Sequence, residues 1–157
     1  MRDETRQLAV TFCEDVRLEI TGQTSHIGIF NGTLVTQSFP MSLPKFSVAV
    51  EISTPYDEQL QSLRFELTSD LGQVLVSQDF PSELLQQQRS IVQEEAFAGA
   101  EEKRVGFRTQ FIVAPLSLSE PTMLRSRIVT EKGEVKGPSL RVAQGNPFIP
   151  NMQHIGG

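Results

Sequence analysis

Few residues of this chain could do chemistry, and they are scattered. The 157-residue sequence holds one cysteine, Cys13, and two histidines, His26 and His154. A Ser-His-Asp triad needs an imidazole that a serine and a carboxylate can both reach. His26 lies in a strand-like run, His154 lies in an aperiodic tail, and no G-x-S-x-G elbow accompanies either. Cys13 is followed by Glu14 and Asp15, and neighbouring carboxylates raise a thiol pKa instead of activating it. One thiol and two distant imidazoles make a poor zinc set, and a lone cysteine excludes an internal disulfide framework. There is no P-loop and no G-x-G-x-x-G. Two carboxylates can cleave a glycosidic bond when they flank it. Glu14 and Asp15 are the only such pair in a strand, and adjacent strand residues face opposite ways. The acidic pairs Glu94-Glu95 and Glu101-Glu102 lack the Gly/Asp spacing of a calcium loop. The sequence therefore assigns no catalytic residue, no metal ligand and no cofactor.

The elements that position these residues read as strands. In residues 10–20, Val10, Phe12, Val16, Leu18 and Ile20 share one parity and Thr11, Cys13, Asp15, Arg17 and Glu19 the other. That is the period-2 pattern of a strand with one buried face. Glu14 breaks it by sitting on the apolar parity. A carboxylate facing a core costs several kcal/mol unless it is paired. Two readings follow: a β-bulge or sheet crossing near Glu14–Asp15, which makes Glu14 a structural acid, or a functional buried acid. Next, Asn31-Gly32 between apolar runs predicts a two-residue hairpin, with Ile29 facing Leu34 and with Ile27, Ile29 and Leu34 directed to the core. Gly28 leaves room for a bulge or a close approach. Phe39-Pro40 and Leu43-Pro44 bar a central strand, and residues 45–52 then alternate cleanly, with Phe46, Val48, Val50 and Ile52 inward.

Three segments of this region carry a resemblance. They are Cys13-Glu14-Asp15-Val16-Arg17-x-Glu19, Gly22-x-x-Ser25-x-Ile27-Gly28-Ile29-Phe30 and Phe39-Pro40-x-x-Leu43-Pro44-Lys45. Together they resemble the signature of a family of short bacterial and prophage-encoded proteins of unknown function. The resemblance covers about the first third of the chain. It implies a bacterial or phage origin and a cytoplasmic, single-domain protein. It brings no activity, cofactor or catalytic residue. Gln23 stands where the pattern leads one to expect a lysine.

Further along, residues 60–68 and 73–80 read as a second hairpin closed by Asp70-Leu71-Gly72. Ser82 is a helix N-cap candidate, and a turn or two of helix is expected after it. The stretch 94–104 reads as a charged loop. Residues 106–118 form a strand that Pro115 ends or holds at an edge. Residues 123–131 form another, with Leu124 and Ile128 on one side and Arg125, Arg127, Val129 and Glu131 on the other. Lys132-Gly133 then turns into 134–136, and 140–142 ends the regular structure. The tail, 144–157, still holds Phe148, Ile149, Met152 and Ile155.

Short strands at roughly ten-residue spacing with one short helical crossover predict an all-β fold: a two-sheet antiparallel sandwich, immunoglobulin-like in architecture. A jelly roll or partly open barrel is the second choice. The domain reading is an N-terminal extension over 1–7, the sandwich over 8–143 and an irregular tail over 144–157.

Function is bounded more than it is specified. A net charge of −5 with no basic block argues against phosphate-driven nucleic-acid binding. No run approaches the ~18 apolar residues needed to span a bilayer, and residues 1–7 contain no apolar leader segment. A cytoplasmic location and no membrane partner are expected. Two hypotheses remain. The first is a non-enzymatic interaction or structural module that binds a protein partner or itself as a homo-oligomer. Its candidate contacts are Asp15, Arg17 and Glu19 on the polar face of the first strand, Arg125 and Arg127, and Phe148 and Ile149 of the tail. These charges read equally as solvated cross-strand ladders. The second is a small-ligand-binding or hydrolytic protein with a pocket near Glu14 and His26.

Overall fold

A computed structural model describes residues 2–91, 99 and 101–146. The elements in chain order are β1 (Gln7–Leu18), β2 (Thr24–Ile29), β3 (Thr33–Thr36), β4 (Met41–Leu43), β5 (Phe46–Pro55), β6 (Leu63–Ser69), β7 (Val74–Asp79), α1 (Ser82–Ile91), β8 (Arg104–Val113), β9 (Leu116–Leu118), β10 (Thr122–Thr130) and β11 (Gly133–Gln144). One sheet runs β2-β1-β5-β8 and the other β3-β11-β10-β6-β7, while β4 and β9 form a small ribbon. The fold is an all-β sandwich of immunoglobulin-like architecture with one helix among the described residues.

Alternation builds the core. β5 is central in its sheet and buries Phe46, Val48, Val50 and Ile52, as its pattern dictates. β6 answers from the opposite sheet with Leu63, Phe65 and Leu67, and β10 with Leu124 and Ile128. Each such aliphatic or aromatic side chain gains about 1.5–3 kcal/mol from leaving water. The Phe65 and Phe111 rings, one from each sheet, stack with centroids 5.1 Å apart and planes 3° apart. That contact locks the two layers together at one point of the interface.

The structure corrects several expectations. Asn31-Gly32 does not close a hairpin: β2 pairs with β1, and β3 pairs in parallel with β11 in the other sheet. A two-residue hairpin turn of this sequence type needs positive φ at both central residues. Gly32 has φ +84°, but Asn31 stays in the negative region, so the chain bends across to the second sheet. The sandwich is thus not wholly antiparallel. Ile27 and Ile29, expected in the core, are exposed, whereas Leu34 is buried. Pro138 does not interrupt β11. It sits with Gly137 at a register shift opposite Ser126, whose hydroxyl donates to the Pro138 carbonyl at 2.7 Å. A bulge is where a sheet tolerates proline. The helix runs ten residues, longer than a turn or two, and Pro81, not Ser82, supplies the capping carbonyl, which accepts from Leu85 N at 3.3 Å.

Residues 2–6 bridge the two sheets. Arg2 pairs with Glu134, Asp3 N donates to the Glu134 carbonyl at 3.0 Å, and Gln7 then enters the other sheet opposite Ser53. Between them the Arg6 side chain is fully buried. Its guanidinium meets Asp3 Oδ2 at 2.9 Å, Glu131 Oε1 at 2.5 Å, Thr54 Oγ1 at 3.1 Å and Thr130 Oγ1 at 3.3 Å. A buried cation survives only when its donors are met in this way.

Candidate interaction surface at the β1–β2 hairpin

β1 is longer than its central neighbour allows. It pairs with β5 from Gln7 to Cys13 and with β2 alone as far as Leu18. Beyond Cys13 the two strands therefore form an arm that leaves the sandwich. A turn closes the arm: Glu19 N donates to the Gln23 carbonyl at 2.8 Å and Gly22 N to the Glu19 carbonyl at 2.9 Å. Gly22 supplies the positive φ, +84°, that this turn requires.

The facing of β1 changes at the base of the arm. Phe12 packs into the core, and Cys13 beside it is buried as well. Farther out, Val16 and Leu18 line the outer groove together with Ala49 and Arg108. The register against β2 runs unbroken from Cys13 opposite Ile29 to Leu18 opposite Thr24, so the two-against-one bulge expected at Glu14–Asp15 is absent from that pairing. The change of facing falls where Gly28, with φ +67°, lies opposite Glu14. Glu14 itself is exposed, so it is not a buried acid, and it does not line the groove. Its side chain lies across Gly28: a Cβ built there would stand 2.8 Å from Glu14 Cδ. Cys13, expected on the polar face, is fully buried. Burial pushes its thiol pKa up, and the Asp15 charge adds to that, which makes it a poor nucleophile.

The arm ends in bare aliphatic surface. Leu18 is 77% exposed and Ile20 is fully exposed, and Ile27 and Ile29 are open on the strand beside them. Alternation alone places Leu18 and Ile20 in the core. What the sequence does not show is that β1 changes facing before it reaches them, which turns Leu18 to the outer groove. One face of the arm carries Asp15 and Arg17, whose side chains pair at 3.1 Å. Lys45, just before β5, also pairs with Asp15 and ties down the base. Lys45 and then Arg17 hold the Asp15 carboxyl below its ordinary range. Glu19 is exposed at the turn. The opposite face, with Val16, Leu18, Thr24 and His26, forms one wall of a groove of about 410 Å³ over the outer surface of the four-stranded sheet.

The other expected contacts lie elsewhere. Arg125 and Arg127 are on β10, in the opposite sheet, and both are engaged. Arg125 grips Asp70 with two bonds of 2.7 and 3.0 Å. Arg127 reaches Glu66 at 2.6 Å and Glu134 at 2.9 Å, and Arg64 flanks the same Glu66 at 2.9 Å. This is the ion-pair ladder reading. Exposed pairs of this kind each contribute well under ~1 kcal/mol. The structure thus brings Asp15, Arg17 and Glu19 together on the arm but not with Arg125 and Arg127. Phe148 and Ile149 lie outside the described residues, as do Glu94 and Glu95. Among the described residues no group of three or more His, Cys, Asp or Glu could hold a metal ion, and no helix is long and apolar enough to cross a membrane.

No curated protein matches the sequence. A family model does match, over residues 8–143, which takes in the arm and both sheets. The chain therefore belongs to the family of unknown function DUF6941.

Proposed function

We propose that the chain is a non-enzymatic protein-interaction or structural module whose contact surface is the β1–β2 arm. The observation that carries this reading is the pair Leu18 and Ile20, two large aliphatic side chains held in water on a projecting hairpin. Single exposed aliphatics are ordinary. Two together at the tip of an arm form a patch that a partner would dehydrate. Asp15 and Arg17 on the opposite face of the arm, and Glu19 at its turn, would orient the partner more than bind it. On this reading the protein is bacterial or phage-borne and works in the cytoplasm, with neither nucleic acid nor membrane as its partner.

The test is capture from a bacterial lysate with the wild-type chain and with a Leu18→Asp/Ile20→Asp variant, followed by mass spectrometry. Proteins retained by the wild type and lost by a folded variant support the reading. An identical set of retained proteins removes it.

The groove beside the arm favours a second reading, small-ligand binding with His26 on the wall. A ligand that raises the melting temperature of the wild type but not of a His26→Ala variant would support it.

A further inference from the structure

We infer that the arm's partner is a second copy of this chain, joined through the free edge of β2; this rests on the interaction reading above. β2 is the terminal strand of its sheet, and its outer side carries no strand among the described residues. The turn fixes which groups face outward. Because Glu19 N bonds the Gln23 carbonyl, Ser25 and Ile27 share the inward phase of the ladder on the arm. Thr24 and His26 then direct their N–H and C=O groups away from β1. An exposed edge of this kind is a template for another strand unless something blunts it.

The other edges of the two large sheets are blunted. β8 carries Arg104 and Arg108, β7 carries Asp79 and lies next to a register shift, and β3 is only four residues long. β2 reads Thr-Ser-His-Ile-Gly-Ile, with no Asp, Glu, Lys, Arg or Pro. That composition matters most for pairing with a copy. In a two-fold contact a charge on the axis meets its own copy, so an edge with charges of one sign repels itself and a neutral one does not. The chain as a whole carries a net charge of −5, and the neutral β2 edge keeps that repulsion away from the contact.

Antiparallel pairing about Ser25 sets Thr24 of each copy against His26 of the other, so the outward groups satisfy one another. Gly28, with φ +67°, ends the regular edge and limits the pairing to the arm. The five residues 14–18 of β1, about 16 Å of strand, pair with β2 alone, so the outer edge of β2 is open along that length.

Light scattering on a sizing column tests this. The wild type is expected to move towards twice 17.5 kDa as its concentration rises. His26→Pro, which removes an outward donor, is expected to stay at 17.5 kDa. Should that variant lose its fold, Ser25→Cys gives a second reading. Residues on the axis of an antiparallel pair are close enough to bridge, so Ser25→Cys chains should cross-link under mild oxidation far faster than Ser77→Cys chains. A wild type that stays monomeric at every concentration, with equal cross-linking of the two variants, overturns the inference. If that monomer still captures another protein through Leu18 and Ile20, only self-pairing has failed. If capture ignores the Leu18→Asp/Ile20→Asp change, the interaction reading has failed as well.

Discussion

Glu14 folds over Gly28, and each explains the other. Gly28 holds φ +67° and would place a Cβ 2.8 Å from Glu14 Cγ and Cδ. The glycine lets the acid cross the hairpin, and the acid marks where the facing of β1 changes and the arm begins.

Gly28→Ala therefore strains the backbone and crowds Glu14. A non-glycine residue in the left-handed region costs about 1–2 kcal/mol. We expect a loss of that size in urea unfolding. Part of it should return in a Glu14→Ala background, because the steric share needs the acid. Equal losses in both backgrounds would mean that Glu14 does not press on this position.

Arg6→Met should be among the most damaging single changes. It leaves the carboxylates of Asp3 and Glu131 without their buried cation, and breaking such a pair from one side costs about 3–5 kcal/mol. Chemical denaturation measures it. A loss below about 1 kcal/mol, the surface-pair range, would contradict the role of residues 2–6 in joining the sheets.

The same network sets the acid response. Burial opposes ionisation of Asp3, but bonds from Arg6, Thr5 and Thr130 outweigh it and hold its carboxyl far below the ordinary range. Burial likewise opposes ionisation of Glu131, and the bonds from Arg6 and the amides of Ser62 and Gln61 prevail. Both folded-state values are depressed, so the stabilisation is complete above the unfolded carboxyl pKa values, about 4, and is lost as pH falls below them. Melting temperature should be level near neutrality and decline in acid. Asp3→Asn should be less stable at pH 7 and show a shallower acid decline.

Leu18→Asp/Ile20→Asp should leave stability within about 0.5 kcal/mol of wild type, because both side chains are already in water. Binding should fall while the melting temperature holds. A large drop in melting temperature would mean that these residues pack against the body.

Much of the fold is legible in the sequence because alternation is a local signal. Phe46 to Ile52, Leu63 to Leu67 and Leu124 with Ile128 face as their parity dictates. What is lost is set by distant partners. Asn31-Gly32 has the residues of a hairpin turn, yet β11 draws Thr33 onward into the other sheet. Leu18 and Ile20 carry the parity of a core strand, and the change of facing in β1 at the base of the arm turns Leu18 outward. Arg6 sits in a charged stretch that reads as an extension, and its partners Thr54 and Thr130 are 48 and 124 residues away. Of the candidate site, the charged face with Asp15 and Arg17 is legible in the sequence, but the apolar tip is not.

Amide hydrogen exchange along β2, measured as protein concentration rises, tests the arm most directly. The account predicts that the outward amides of Thr24 and His26 exchange rapidly in dilute protein and become protected in concentrated protein, while those of Ser25 and Ile27 are protected throughout. Rapid exchange of Thr24 and His26 at every concentration, and equally with captured proteins present, would contradict it.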